Sequence, residues 1–277
     1  MKCFFLFIAG LISTTLFAQQ DTAGKSQQNG LVLVRTIGEN LADFTVDNLG
    51  NFYLLDKKGQ LKKRSADGDS IAVYNDVRRY GKVHAIDASN PLKVLLYFRD
   101  FGTVVVLDRF LNNRNTIDLR KQDIFQARVI GQSFDNGLWV YDELNGKLKR
   151  LDDNGNLVAE TVDFRVLSDA PPTPLYIADA NRLVYLYDPE KGLIILDYFG
   201  TVRNQVALLG WTDFQVIGDD VVGRKGTMLL RYTPGTLMTK ELLLPEPLHG
   251  VDKMQVVMDH LYCLKDGVLF VYSLQNQ

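Results

Sequence analysis

The chain lacks the residue sets that metalloenzymes, hydrolases and disulfide-stabilised proteins use. It contains two cysteines and three histidines in 277 residues. His84, His249 and His260 lie far apart and show no metal-ligand spacing. A Gly-x-Ser-x-Gly nucleophile motif and a phosphate-binding loop are both missing. We therefore predict no catalytic residue, no metal ligand and no cofactor, and the sequence favours a binding protein over an enzyme.

An excess of charge of one sign is also lacking. The 31 lysines and arginines nearly balance the 33 aspartates and glutamates, which leaves a formal net charge of −2. Such a chain has no global positive field to attract nucleic acid, so we predict no nucleic-acid partner. Hydrophobic residues make up 46% and charged residues 23%, which is typical of a globular protein with a sizeable core. The sequence does not indicate an oligomeric state.

One long apolar run occurs, at the N-terminus. Cys3–Phe17 follows Lys2 and spans about fifteen residues, which is short for a membrane helix but suits a signal peptide. The sequence predicts a signal peptide at 1–18, a polar flexible lead-in at 19–30 and one domain at 31–277; a retained anchor is the alternative. We expect a periplasmic, outer-membrane-associated or secreted protein without a transmembrane span after cleavage. Cleavage would leave Cys263 alone, so a disulfide is not expected.

A repeated stretch indicates the fold. Gly102–Ile117 reads as strand, turn and strand, and Lys191–Val206 repeats it at an offset of 89 residues, with Asp108 and Phe110 on Asp197 and Phe199. Half of that offset fits one β-propeller blade of about 40–50 residues.

The same four-strand unit returns about six times. A glycine opens the third strand of each unit, where a tight hairpin needs positive φ: Gly59, Gly102, Gly146, Gly192, Gly226 and Gly267. Long helical periodicity is missing throughout the chain. The sequence therefore predicts an all-β fold, a β-propeller of about six blades.

The last unit is one strand short, and the first strand of the chain is surplus. The sixth unit ends after Val268–Tyr272, whereas the β-branched segment Leu31–Ile37 precedes the first unit. We predict that Leu31–Ile37 pairs beside Val268–Tyr272 and closes the ring, which would remove two unpaired sheet edges.

Two stretches resemble a known repeat family. Val46–Asp56, with its Asp, Gly-Asn, tyrosine and closing Asp, resembles the start of an NHL-type repeat of six-bladed propellers, and Asp135–Asp142 is a looser copy. The resemblance implies a propeller that is usually a binding platform and sometimes a lactonase or lyase.

Candidate ligand-binding residues follow from the propeller geometry. The innermost strands of a propeller surround a central channel, and polar residues near their starts are Asp43, His84, Arg128, Tyr176, Asp213 and Lys253. We predict that these residues line a ligand site at the channel. The alternative is that the mixed charges pair with one another and are structural. A slip of one residue would turn each side chain to the other face.

Two further patterns have a structural and a functional interpretation. Asp152–Asn156 lacks the glycine and closing glutamate of a calcium loop, so we interpret it as an Asx-rich hairpin turn. Tyr97-Phe98 with Phe101, and Tyr198-Phe199, either pack between blades or form a protein-contact patch.

Three functions compete at this point. The first is an exported, non-catalytic propeller that acts as a protein-binding or scaffold module in a bacterial cell envelope, with an envelope protein as its partner. The second is a calcium-dependent lactonase or esterase, to which Asp43 and Asp213 could contribute, although Arg128 and Lys253 argue against a dication. The third is a carbohydrate-binding propeller that uses exposed Tyr and Trp faces.

Overall fold

Six four-stranded antiparallel sheets make up the computed structural model, which describes residues 30–38, 40–167 and 170–274. The chain enters with β1 (Leu31–Gly38), which belongs to the last sheet. Each of the other sheets is built from four consecutive strands, ordered from the inside outward. The predicted six-bladed all-β propeller is confirmed.

The first three blades follow one another along the chain. Blade 1 contains β2 (Leu41–Val46), β3 (Phe52–Asp56), β4 (Leu61–Arg64) and β5 (Ser70–Tyr74). Blade 2 contains β6 (Ala85–Asn90), β7 (Lys93–Phe98), β8 (Thr103–Asp108) and β9 (Asn113–Asp118). Blade 3 contains β10 (Ala127–Gln132), β11 (Leu138–Asp142), β12 (Lys147–Leu151) and β13 (Leu157–Glu160).

The last three blades complete the ring. Blade 4 contains β14 (Tyr176–Ala180), β15 (Leu183–Asp188), β16 (Gly192–Leu196) and β17 (Val202–Val206). Blade 5 contains β18 (Thr212–Ile217), β19 (Asp220–Lys225), β20 (Met228–Thr233) and β21 (Met238–Leu243). Blade 6 contains β22 (Lys253–Val257), β23 (His260–Lys265), β24 (Val268–Leu274) and, outermost, β1.

Among the residues that the structure describes, helices occur only in the connections between strands. A single α-helical turn, α1 (Phe164–Leu167), lies between blades 3 and 4. Short 3-10 helices occupy Asp76–Tyr80, Arg99–Phe101, Leu119–Gln122 and Glu246–Leu248. Within the described ranges, no helix has the length and apolar character needed to cross a membrane. The predicted signal peptide and nearly all of the predicted lead-in lie outside the described residues.

The hairpin glycines adopt the predicted backbone conformation. All six have φ between 57° and 88°: Gly59, Gly102, Gly146, Gly192, Gly226 and Gly267. Side chains with a Cβ rarely adopt this region, which is why glycine recurs at these turns.

Ring closure takes the predicted form. β1 pairs antiparallel with β24, from Leu31 opposite Leu274 to Gly38 opposite Val268. Leu31 is 2% exposed and belongs to the apolar cluster of Met254 and Cys263. The N-terminal strand therefore fills the fourth position of blade 6, and the two ends of the described chain are held together.

The apolar core lies between neighbouring blades. One cluster joins Tyr53 of blade 1 to Leu96 and Phe98 of blade 2, and another joins Tyr187 of blade 4 to Phe214 of blade 5. Central strands are apolar on both sides because each faces a neighbouring blade on either side, and so they lack simple polar–apolar alternation.

Candidate functional site

The inner strands of the six blades surround a central cavity. β2, β6, β10, β14, β18 and β22 contact one another in order around a closed ring. The cavity has a volume of about 810 Å³, which lies in the range of ordinary small-molecule sites. Five of the predicted residues line it: Asp43, His84, Tyr176, Asp213 and Lys253. Arg128 does not line it and instead pairs with Glu143 at 2.8 Å, outside the channel.

The charged lining residues are already paired with protein groups. Lys253 Nζ lies 2.7 Å from Asp43 Oδ1 and also donates to the carbonyl oxygen of Phe44 at 2.7 Å. Arg224 Nε donates to Asp213 Oδ2 at 2.7 Å. Asp43 and Asp213 thus each face a protein cation, the arrangement expected of structural pairs. The channel carboxylates Asp47, Asp87 and Asp179 instead accept hydrogen bonds from neutral N–H or O–H groups of the protein. In the part of the chain that the structure describes, no group of three or more His, Cys, Asp or Glu could hold a metal ion.

Burial favours the neutral forms of the two remaining predicted residues, His84 and Tyr176. Burial lowers the pKa of His84, and the charge of Arg99 lowers it further. The imidazole packs edge-on against Tyr97, with ring centroids 5.8 Å apart. Burial raises the pKa of the Tyr176 phenol to about 12. These groups can offer hydrogen bonds and packing in the channel, but no charge.

The predicted register is off by one residue in two blades. Val129 occupies in blade 3 the strand position that Asp43 occupies in blade 1, because the pairing of β10 shifts at Arg128. In blade 2 the corresponding residue is Ala85, one after His84. Tyr176 and Lys253 begin their strands at the expected positions.

Sequence reasoning missed the polar residues that join neighbouring inner strands. Gln255 accepts the N–H of Val46 at 2.8 Å and donates to its carbonyl oxygen at 2.8 Å. Gln215 makes the same pair of bonds to Val256, with the N–H at 2.7 Å and the carbonyl at 3.3 Å. In blade 2, the Asp87 carboxylate accepts the N–H of Gln132 at 2.8 Å. Asp87, Gln215 and Gln255 lie on the inner strands of blades 2, 5 and 6.

One face of the ring carries exposed apolar side chains from every blade. The turns between first and second strands and between third and fourth strands open on the same side of the ring, because successive strands are antiparallel. We call this side the lower face and define it by its exposed apolar residues: Leu49, Leu92, Phe110, Phe134, Phe199, Leu237 and Met258. Their exposed fractions range from 52% for Phe110 to 91% for Phe199.

An aromatic groove lies on the lower face between blades 3 and 4, with a volume of about 460 Å³. Its walls are Phe134, Trp139, Arg150, Ala159, Glu160, Thr161, Tyr198, Phe199 and Gly200. The rings of Phe134 and Tyr198 stack in parallel with centroids 4.2 Å apart. Tyr198 thus packs between blades, whereas Phe199 of the same pair is exposed. Tyr97 and Phe98, the other pair that the sequence singled out, are fully buried.

The Asp152–Asn156 turn and the two tryptophans are the remaining candidates for ligand binding. Asp152 Oδ1 accepts the N–H groups of Asn154 and Asn156 at 2.9 and 2.8 Å, so this carboxylate is used inside an Asx turn. Trp139 and Trp211 are 2% and 5% exposed, so neither indole presents a free face for stacking on a sugar.

These features define the class of protein: a six-bladed β-propeller closed by its N-terminal strand, with a polar central channel and exposed apolar side chains in the lower-face turns. Solved structures share this fold. A virginiamycin B lyase from Staphylococcus aureus is similar with a TM-score of 0.63 and 12% identity, over 87% of this chain and 99% of the lyase.

The similar structures also include a WD40 domain and BamB. The Pan2 WD40 domain of Neurospora crassa matches with a TM-score of 0.62 and 10% identity, over 91% of this chain and 98% of that domain. BamB from Moraxella catarrhalis matches with a TM-score of 0.50 and 14% identity, over 89% of this chain and 98% of BamB. At such identities the likeness is one of fold. No protein-family model and no curated protein matches the sequence.

Proposed function

We propose that this chain is an exported, non-catalytic β-propeller that binds a protein partner in a bacterial cell envelope through its lower face. The observation that carries the proposal is that every blade places at least one large apolar side chain in an exposed turn of this face. An exposed apolar side chain gains free energy when a partner covers it, because its contact with water is unfavourable. The opposite face also exposes apolar side chains, among them Phe101, Leu144 and Val166, but these lie in blades 2 to 4 and the connections that follow them. The lower face exposes one in each of the six blades.

The channel supports a binding role over catalysis. Its carboxylates are engaged by the protein itself: Asp43 and Asp213 pair with cations, and Asp47, Asp87 and Asp179 accept protein N–H groups. A general base or metal ligand needs a carboxylate that is free to accept a proton or a cation. The fold alone does not distinguish a binding protein from an enzyme, because a lyase has the same fold. We also propose a small-ligand site in the channel, in addition to the lower face, formed by Asp43, His84, Tyr176, Asp213 and Lys253.

Export and the envelope location rest on the N-terminal sequence. Cys3–Phe17 is an apolar run followed by Ala18 and a polar segment, which is the pattern of a cleaved signal peptide. The partner is therefore expected outside the cytoplasm.

The test is site-specific photo-crosslinking in intact cells of the native host. A photoreactive amino acid replaces Leu92 or Leu237 on the lower face, and replaces Leu144 on the opposite face as the matched control; Leu144 is also an exposed turn leucine. We expect the same partner to crosslink from both lower-face positions and not from Leu144. Equal crosslinking from all three positions, or none from the lower face, would contradict the proposal.

A further inference from the structure

We propose that the protein partner of the lower face places a lysine or arginine side chain, flanked by apolar residues, over the lower mouth of the central channel. This inference rests on the proposed function and deepens it, because it names the chemistry that the lower face recognises. The lower mouth is the ring of turns between the first and second strands of the six blades. The central cavity reaches these turns, since Asn48, Gly218 and Met258 line it.

The turns of the lower face carry far more negative than positive charge. Among the residues that the structure describes, the turns that join first to second strands and third to fourth strands contain nine aspartates and two arginines. The described turns and connections of the opposite face contain nine acidic and ten basic residues. The chain as a whole is nearly balanced, so the excess of carboxylates belongs to the face that exposes an apolar side chain in every blade.

Exposed carboxylates lie around the mouth. Asp135, Asp219 and Asp259 are exposed in the first turns of blades 3, 5 and 6. In the described chain, Arg182 of blade 4 is the one basic residue of these six turns. A partner that approaches the centre of the lower face therefore meets a net negative charge, which a basic side chain complements.

Two ion pairs on this face present their carboxylates outward. Arg150 pairs with Asp135 at 3.1 Å, and Lys93 pairs with Asp153 at 2.7 Å. The Arg150 and Lys93 side chains are 16% and 7% exposed, whereas those of Asp135 and Asp153 are 35% and 49% exposed. The cations of these pairs lie behind the carboxylates, so a partner meets the negative end of each pair.

Ion pairs with the reverse orientation lie farther from the mouth. Arg203 pairs with Asp197 and Arg231 pairs with Asp220, and the arginine is the more exposed member of each pair. Arg203 lies on β17 and Arg231 on β20, which are the fourth strand of blade 4 and the third strand of blade 5. These cations are therefore on the outer half of their blades and do not neutralise the mouth.

The channel adds carboxylates behind the mouth. Asp87 and Asp179 line the cavity. Their hydrogen-bond donors include the Gln132 backbone N–H and the Trp139 indole N–H, both neutral, and no cation of the described residues forms an ion pair with either carboxylate. A cavity lined mainly by one sign of charge focuses the electrostatic potential at its opening, which strengthens the attraction for a cation there.

Apolar side chains surround these charges. Leu49, Leu92, Phe134 and Met258 project from the same turns, with exposed fractions of 56% to 63%. Lysine and arginine suit such a surface, because their aliphatic stems pack on apolar side chains while the charged group reaches the carboxylates. Apolar residues on either side of the basic one would cover the remainder of the exposed carbon surface.

The test uses two fluorescein-labelled, end-capped peptides of nine residues. One carries the sequence Leu-Lys-Leu-Lys-Leu and the other Leu-Glu-Leu-Glu-Leu, between identical Gly-Ser ends. Fluorescence polarisation against the chain beginning at Gln19 measures the dissociation constant of each. We expect the lysine peptide to bind at least about tenfold more tightly than the glutamate peptide. This preference should fall when the salt concentration is raised from about 50 mM to about 500 mM, because salt screens the attraction.

Matched variants assign the preference to the mouth. Asp219→Asn combined with Asp259→Asn removes two exposed carboxylates at nearly constant size and should lower the lysine preference at least about threefold. Asp100→Asn combined with Glu190→Gln removes two exposed carboxylates from turns of the opposite face and should leave the preference unchanged. Equal affinity for both peptides, no binding of either, or an equal loss of preference in the two double variants would overturn the proposal.

Crosslinking separates this inference from the proposed function. If Leu92 and Leu237 capture the same envelope protein but the lysine peptide is not preferred, the inference about the mouth fails and the lower-face function stands. If the lower face captures no partner, the proposed function fails regardless of the peptides.

Discussion

Leu31→Ala tests how much the N-terminal strand contributes to the closed ring. The Leu31 side chain is 2% exposed and packs in the cluster that contains Leu244, Leu248, Leu261 and Cys263. Truncation to alanine removes three carbon atoms from this buried cluster and should leave a cavity. Leucine-to-alanine changes at such sites lower the free energy of unfolding by about 2–5 kcal/mol. For a domain of this size we expect a Tm lower by roughly 5–15 °C.

The matched control lies in the same strand. Leu33 is 44% exposed, so Leu33→Ala removes the same atoms without opening a buried cavity, and the free energy of unfolding should change by less than about 0.5 kcal/mol. Urea denaturation of both variants and of the unmodified chain measures the difference.

Cys263 lies in the same buried cluster as Leu31 and reports on the local opening of that cluster. The chain beginning at Gln19 has this cysteine alone, and it is fully buried. Burial raises the pKa of its thiol to about 12, so the native protein should react negligibly with thiol reagents at about pH 8. A loss of about 2 kcal/mol raises the open population roughly 30-fold, and Leu31→Ala should accelerate labelling accordingly. If Leu31→Ala and Leu33→Ala unfold at the same urea concentration and label at the same rate, the closure reasoning is wrong.

Two further predictions concern the edge of blade 6 and the inside of blade 3. Deleting residues through Ile37 should expose β24, lower the Tm and promote aggregation, whereas deletion through Gly30 should change little; matching melting curves for the two truncations would refute this. The Asp142 carboxylate is 0% exposed and lies 2.8 Å from Lys149 Nζ. Lys149→Met removes this cation and leaves the carboxylate buried, which should lower the free energy of unfolding by about 3–5 kcal/mol. Lys147→Met, which breaks a more exposed pair, should cost less than about 1 kcal/mol in the same urea experiment; equal losses would show that burial does not set the cost.

The architecture was predictable because it follows from local rules. Tight hairpins require positive φ, so glycine spacing marks the blades, as at Gly102 and Gly192. Closure followed from counting strands: the last unit lacked one and Leu31–Ile37 was surplus, and the two pair as expected.

The site was predictable only in part, because it depends on register and on contacts between blades. A shift in the pairing of β10 at Arg128 moves Val129 to the channel position, and nothing local in the sequence marks that shift. Phe134 and Tyr198 are far apart in the chain and meet only because blades 3 and 4 are neighbours. The sequence left Tyr198-Phe199 open between blade packing and partner contact; the structure packs Tyr198 between blades and leaves Phe199 exposed.

The most direct test of the central claim, that the lower face binds an envelope protein, is quantitative capture of that protein by face variants. The partner identified by crosslinking is measured by mass spectrometry after affinity purification of the full chain from its native envelope. Leu92→Ser, Leu237→Ser and Met258→Ser together should reduce partner recovery at least about tenfold at unchanged Tm. The control combines Leu144→Ser with Val166→Ser on the opposite face and should recover the partner fully. Equal recovery by the two variants would contradict the claim that the lower face is the binding surface.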